Sequence, residues 1–166
     1  MSVTDNPQPE SDGARRAREA LAASGIEHRI LVSTVPARSL AEAAEQRGIE
    51  PRDIVKSLVV RRGSGDYVFV LVPGDREISW PKLRAHLGVN RLSMPPADKA
   101  KEATGYERGT ITPFGSTTAW PVIADATVPG RTISMGAGAH GTSVTLAADD
   151  VVSALGAEVV DVTDPA

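Results

Sequence analysis

The chain has 166 residues, 41% hydrophobic and 23% charged, with a formal net charge of −3 and no cysteine. That length supports one core. The lack of cysteine excludes disulfides, thiolate catalysis and cysteine-ligated metals, and the acidic balance argues against a general nucleic-acid coat while leaving room for a small basic cleft.

Residues 1–11 carry Asn6, Pro7, Gln8 and Pro9 and almost nothing apolar, which predicts a frayed tail ahead of a single domain over 12–166. The polar N-terminus has no apolar signal core, and no run approaches the roughly 20 apolar residues of a membrane span, so a cytoplasmic address is expected. Asp12 is positioned to cap a helix running to Ser24, stopped by Gly25. Ile26 to Val32 reads as a strand. Ser39 and Glu42 have the capping-box spacing for a second helix, which Gly48 ends.

Asp53 to Val60 is short, β-branched and apolar, and reads as a strand. Alternation puts Ile54, Lys56, Leu58 and Val60 on one face and Val55, Ser57 and Val59 on the other. The first face is the one expected to meet the core, and a lysine sits on it. Two readings stand at this point: a snorkelling lysine with its head in water, or an active-site lysine facing a cleft.

Gly63-Ser64-Gly65 turns the chain, and Tyr67 to Val72 returns with both faces apolar, as in a central strand covered on both sides. Pro73-Gly74-Asp75 breaks it. Ser79 caps a helix through Leu87, with Pro81 in its first turn and Gly88 after it. Val89 to Met94 is a short strand candidate, and Pro95-Pro96 opens a helix that stops at Gly105. From Gly105 to Gly115 three glycines and a proline without periodicity mark a loop of the kind that carries sites. Trp120 to Ala124, Arg131 to Met135, Thr142 to Leu146 and Val159 to Val162 read as strands, and Asp149 to Leu155 as a helix. The irregular mixture predicts an α+β fold, one mixed and curved sheet around a pocket with flanking helices.

Gly136 to Gly141 matches G-x-G-x-x-G, but a dinucleotide site needs a helix directly after the loop. Thr142 to Leu146 reads as a strand, so the turn reading is taken and no cofactor is expected. His28, His86 and His140 stand apart, none at metal-ligand spacing from another, so no metal is expected. Asp75 and Asp125 each sit at a strand end and read as turn formers.

Several pieces then line up in order: Ile54-Val55-Lys56-Ser57-Leu58-Val59-Val60, Pro73-Gly74-Asp75, Thr104-Gly105-Tyr106, Gly109 to Gly115, Pro121-Val122-Ile123-Ala124-Asp125, and the glycine loop ending at Gly141. Together they resemble the YbaK/ProX family of free-standing aminoacyl-tRNA deacylases, relatives of the editing domain inserted in bacterial prolyl-tRNA synthetases. The resemblance covers about Ala14 to Val162. It implies a mixed sheet curled around a pocket, and hydrolysis of the ester joining a wrongly attached amino acid to the 3′-terminal adenosine of a tRNA, without a cofactor. The family's catalytic lysine matches Lys56. Its G-x-x-x-P loop matches Gly109, Thr110, Ile111, Thr112 and Pro113, followed by Phe114 and Gly115. Its second glycine loop matches the run around Gly138 and Gly141.

The chain departs from the family at Ala139 and His140, where many relatives carry a basic pair, so the amino acid removed stays open. The implied roles are catalytic for Lys56 and Gly109, and substrate-binding for residues 110–115, Gly138, His140 and Gly141. The expected partners are the acceptor end of a mischarged tRNA, plausible candidates being tRNA-Pro carrying Cys, Ala or another small amino acid, and prolyl-tRNA synthetase; neither a membrane nor DNA is among them. With the motifs in order, the active-site reading of Lys56 is the one taken. A non-catalytic binder of tRNA 3′ ends or aminoacyl-adenylate-like ligands is the alternative.

Overall fold

The computed structural model describes residues 10–166. The predicted tail therefore lies outside the described residues except for Glu10 and Ser11, and both of these are engaged. Glu10 pairs with Arg18 at 2.8 Å. Ser11, not Asp12, is the N-cap of helix α1 (Asp12–Ser24), its hydroxyl accepting from the Ala14 N–H. Asp12 is the first helical residue and pairs with Arg15 and Arg16.

In chain order there follow β1 (His28–Val32), α2 (Leu40–Arg47), β2 (Val55–Gly63), β3 (Asp66–Pro73), β4 (Arg76–Ile78), α3 (Trp80–Leu87), α4 (Ala97–Thr104), β5 (Val122–Asp125), β6 (Thr132–Gly136), β7 (Thr142–Ala147), α5 (Ala148–Leu155), β8 (Glu158–Val160) and β9 (Thr163–Pro165). Ser39 and Ser79 cap α2 and α3 as expected, and Gly48, Gly88 and Gly105 close their helices in the left-handed conformation. One expected strand is missing and one strand pair is new. Val89 to Met94 forms no strand; only Ser93 bridges to Arg61. The pair β4–β9 was not predicted, since three-residue strands carry no readable periodicity. No helix among the described residues is long and apolar enough to cross a membrane.

The fold is α+β. A mixed sheet runs β2-β3-β5-β8, a three-stranded antiparallel sheet runs β1-β7-β6, and β4 pairs with β9. The mixed sheet is antiparallel at β2–β3 and parallel at β3–β5 and β5–β8. An Ile54–Ser134 bridge links the edge of β2 to β6.

β3 is the central strand expected from its doubly apolar pattern, and alternation divides its side chains between two cores. Tyr67, Phe69 and Leu71 join the larger core with α1, α5, β6 and β7. Val68, Val70 and Val72 pack with Leu83 of α3 and with Ile123. β2 divides in the same way, which corrects the expected orientation of its core face. Val55 and Val59 enter the larger core, while Val60, from the Lys56 face, enters the smaller one. Lys56 lies at the end of β2 and is exposed.

Asp125 is more than a turn former. It is fully buried and accepts from the Val162 N–H at 3.0 Å, the Thr127 N–H at 3.0 Å and the Thr127 hydroxyl. Burial pushes its pKa up, but these hydrogen bonds outweigh burial and hold it below the usual 3.8. A lowered folded pKa contributes stability above about pH 3.8 that is lost as pH falls through the folded value. Asp125→Asn leaves at least one buried donor unpaired and is expected to cost about 2 kcal/mol, a fall in Tm of roughly 4–8 °C for a chain of this size. Thermal scans over pH 2–7 check this: the variant's deficit should shrink at the acid end, and an unchanged Tm at neutral pH would contradict it.

Candidate active site

β2 is an edge strand, and its edge opens into a cavity. Phe69 donates to the Pro121 carbonyl at 2.8 Å, so it faces β5. Its partner across the ladder is Val59, whose N–H and C=O therefore point away from β3. By alternation the same holds for Val55, Ser57 and Arg61. Arg61 exchanges both of its outward bonds with Ser93, at 2.8 and 3.2 Å. Between that bridge and the Ile54–Ser134 bridge, the outward groups of Ser57 and Val59 have no strand beside them among the described residues.

The cavity along this edge has a volume of about 360 Å³. Apolar surface comes from Val55, Val59, Met94, Pro95, Ala100 and Ile111, and bare backbone from Gly109 and Gly136. Arg47, Lys56 and Arg108 line it too, and among the described residues no carboxylate does. Among the described residues the Ser57 hydroxyl is buried and has no hydrogen-bond partner, so it is a candidate to bond a ligand or water. The Lys56 ammonium reaches the Arg76 carbonyl at 3.4 Å, a long contact that a flexible four-carbon stem gives up readily. Among the described residues, no group of three or more His, Asp or Glu is placed to hold a metal ion.

The Gly105 to Gly115 loop reaches the cavity because its base is stapled to α1. The Arg16 guanidinium donates to the Gly105 and Gly115 carbonyls at 2.9 and 3.2 Å and lies 4.6 Å from the Tyr106 ring centre. The Tyr106 hydroxyl donates to the Phe114 carbonyl at 2.7 Å, and its burial raises the phenol pKa. The second glycine loop is the β6–β7 turn, as its strand-like sequel implied. The two loops meet where the Gly138 N–H donates to the Thr110 carbonyl at 3.1 Å. Gly109 has φ of +89°, and a Cβ there would stand 3.5 Å from His140 Cε1.

The residues implied by resemblance thus divide. Lys56, Gly109 and Ile111 line the cavity. Thr110, Thr112 and Phe114 are buried, with the Thr110 hydroxyl donating to the Glu107 carbonyl. Pro113 sits half-buried between them. Gly115 and Gly138 are packing glycines against α1: a Cβ on Gly115 would lie 2.6 Å from the Arg16 carbonyl oxygen, and one on Gly138 2.3 Å from that of Gly13. His140 and Gly141 line a larger neighbouring groove. Arg47, Ser57, Arg108 and Gly136 were not picked out from the sequence. Ser57 had a signal, a lone hydroxyl between Val55 and Val59; Arg47 had none beyond being a basic residue in a last helical turn.

Residues 34–154 match the aminoacyl-tRNA editing domain family. Over 115 residues the chain is 32% identical to the proline–tRNA ligase of Trichlorobacter lovleyi, an alignment covering 69% of this chain and 20% of the ligase. Over 87 residues it is 41% identical to that of Thermosipho melanesiensis, covering 52% of this chain and 15% of the ligase. The chain therefore spans a fifth or less of the length of these relatives. A solved structure presented as a candidate trans-editing enzyme for prolyl tRNA synthetase superposes with a TM-score of 0.83 at 26% identity, over 94% of this chain and 99% of the other. Since the family match takes in β2, its open edge and both glycine loops, the chain belongs to the YbaK/ProX family of aminoacyl-tRNA editing domains.

Proposed function

We propose that this editing domain hydrolyses the ester between a wrongly attached amino acid and the 3′-terminal adenosine of a tRNA. The tRNA is tRNA-Pro and the amino acid a small one such as Cys or Ala. The observation that carries the reading is the cavity on the β2 edge, where among the described residues an apolar wall meets three cations and no carboxylate. A small side chain suits the apolar wall, and the phosphates of a nucleic-acid end suit the cations.

Water adds to the ester carbonyl carbon, charge builds on the carbonyl oxygen, and the C–O bond to ribose breaks. The hydroxyl stays with the amino acid and the proton goes to the ribose oxygen. Such a step needs an oriented water and stabilised negative charge. Lys56 supplies positive charge, and the backbone at Gly109 approaches the ligand without a side chain in the way. In this reading the domain acts in the cytoplasm, in trans to prolyl-tRNA synthetase.

Release of labelled amino acid from a panel of mischarged tRNAs tests it. Release from Cys- or Ala-tRNA-Pro is expected; binding without release from any member would favour a non-catalytic binder. Because the chain is acidic overall, the contact should be confined to the acceptor end. The log–log salt slope of tRNA affinity should correspond to only about two to four neutralised phosphates. A slope near −8 would mean a much wider basic footprint.

A further inference from the structure

Arg47 closes α2, where a basic side chain ordinarily faces water and the helix dipole. Here it turns inward. It is half-buried, and its Nη1 donates to the Ser134 hydroxyl on β6 at 3.1 Å. The last turn of α2 does not need it, because the Gly48 N–H already reaches the Ala44 and Glu45 carbonyls. Among the described residues no carboxylate pairs with it, and burial lowers its pKa. A guanidinium taken partly out of water without an anion is costly to keep.

Its position accounts for the cost. Arg47 lines two cavities: the one on the β2 edge, of about 360 Å³, and the larger groove of about 880 Å³ that holds Ser33, Val35, His140 and Gly141. Among the described residues neither is lined by any Asp or Glu, in a chain whose formal charge is −3. The planar fork stands at the junction, with donors left over after Ser134, and fits a phosphate oxygen pair.

Building on the editing function above, we infer that Arg47 receives the last phosphodiester of the tRNA, the one joining the terminal adenosine to the nucleotide before it. The aminoacyl-adenosine then occupies the inner cavity, and the preceding nucleotide lies in the outer groove. Arg47 is on this account a positioning residue. It sets how far the acceptor end enters, and so where the ester stands against β2 and Gly109.

The test compares substrates with and without that phosphate. Arg47→Met should lower kcat/KM on a mischarged tRNA by roughly 10- to 100-fold, mainly through KM, as expected for a lost charged hydrogen bond. The loss should be several-fold smaller on the same amino acid esterified to free adenosine, and Arg47→Lys should fall between wild type and Arg47→Met. Titration with 5′-AMP and with adenosine gives a readout independent of catalysis. The wild type should bind 5′-AMP the more tightly, and Arg47→Met should lose that preference. Arg47→Gln, which keeps a polar head for Ser134, replaces Arg47→Met if the latter fails to fold. Equal losses on both substrates, or an unchanged preference for 5′-AMP, would overturn the assignment. A wild type that releases no amino acid from any tRNA would sink the editing chemistry instead, and the 5′-AMP comparison would still decide the role of Arg47.

Discussion

Replacing Lys56 by alanine is expected to lower kcat on a mischarged tRNA by roughly 10²- to 10³-fold, the scale of one lost electrostatic stabiliser. The fold should survive. Lys56 is exposed and makes one long contact, to the Arg76 carbonyl at 3.4 Å, so its removal strands no buried partner. Single-turnover release of amino acid, with Tm measured alongside, separates the two effects. Lys56→Arg keeps the charge in a differently shaped head and should recover part of the loss. Near-wild-type turnover by a folded Lys56→Ala protein would remove the lysine from the mechanism and leave the backbone of β2 and Gly109 to carry it.

Gly109→Ala should lower both stability and activity, by separable routes. At φ of +89° an alanine is strained by about 1–2 kcal/mol, a Tm loss of roughly 2–8 °C. Space is not the difficulty, since the added methyl would stand 3.5 Å from His140 Cε1, an ordinary contact. Gly109 nevertheless lines the cavity, so a displaced backbone there should lower kcat/KM at least about tenfold, or 1.4 kcal/mol, at a temperature where the variant is fully folded. Gly130 supplies the control. It has the same φ of +89°, with nothing within 4 Å of its missing Cβ, and it does not line the cavity. Gly130→Ala should reproduce the Tm loss and leave kcat/KM untouched. If the two variants lose activity alike, the Gly109 effect is one of folding and the loop does not touch substrate.

What could be read from the sequence follows the range of the forces involved. The caps at Ser39 and Ser79 and the glycines that end their helices act within a few residues, so local pattern found them. β3 was readable because both of its faces are apolar and both are covered. β2 was readable as a strand but not in its orientation. Alternation separates two faces without saying which meets the larger core, and Lys56 sits past the cover that Leu83 and its neighbours give the other face. Of the cavity's lining, Lys56, Gly109 and Ile111 were named from two motifs in the sequence. Its remaining parts come from distant segments. Arg47 meets Ser134 across 87 positions, and Gly138 meets Thr110 across a loop boundary; no local pattern marks such pairings. Glycines that looked alike in sequence also part company in space: Gly109 faces the cavity, whereas Gly115 and Gly138 let α1 approach.

The exposed edge of β2 carries a further consequence, for self-association. Unpaired strand edges template addition of other chains, and proteins cover or shorten them. Here the bridges at Ile54 and Arg61 fence the open run, leaving about six residues, or roughly 20 Å. Met94, Pro95, Gly109 and Ile111 line the cavity along its middle. An incoming β-strand needs a flat and continuous flank, which this alcove denies it, whereas a single nucleotide at a chain end needs only two or three free donors and acceptors. The fencing thus turns away an incoming strand while the backbone groups along the cavity stay open to a small ligand, so the proposed use of this edge for substrate need not make the protein sticky to copies of itself.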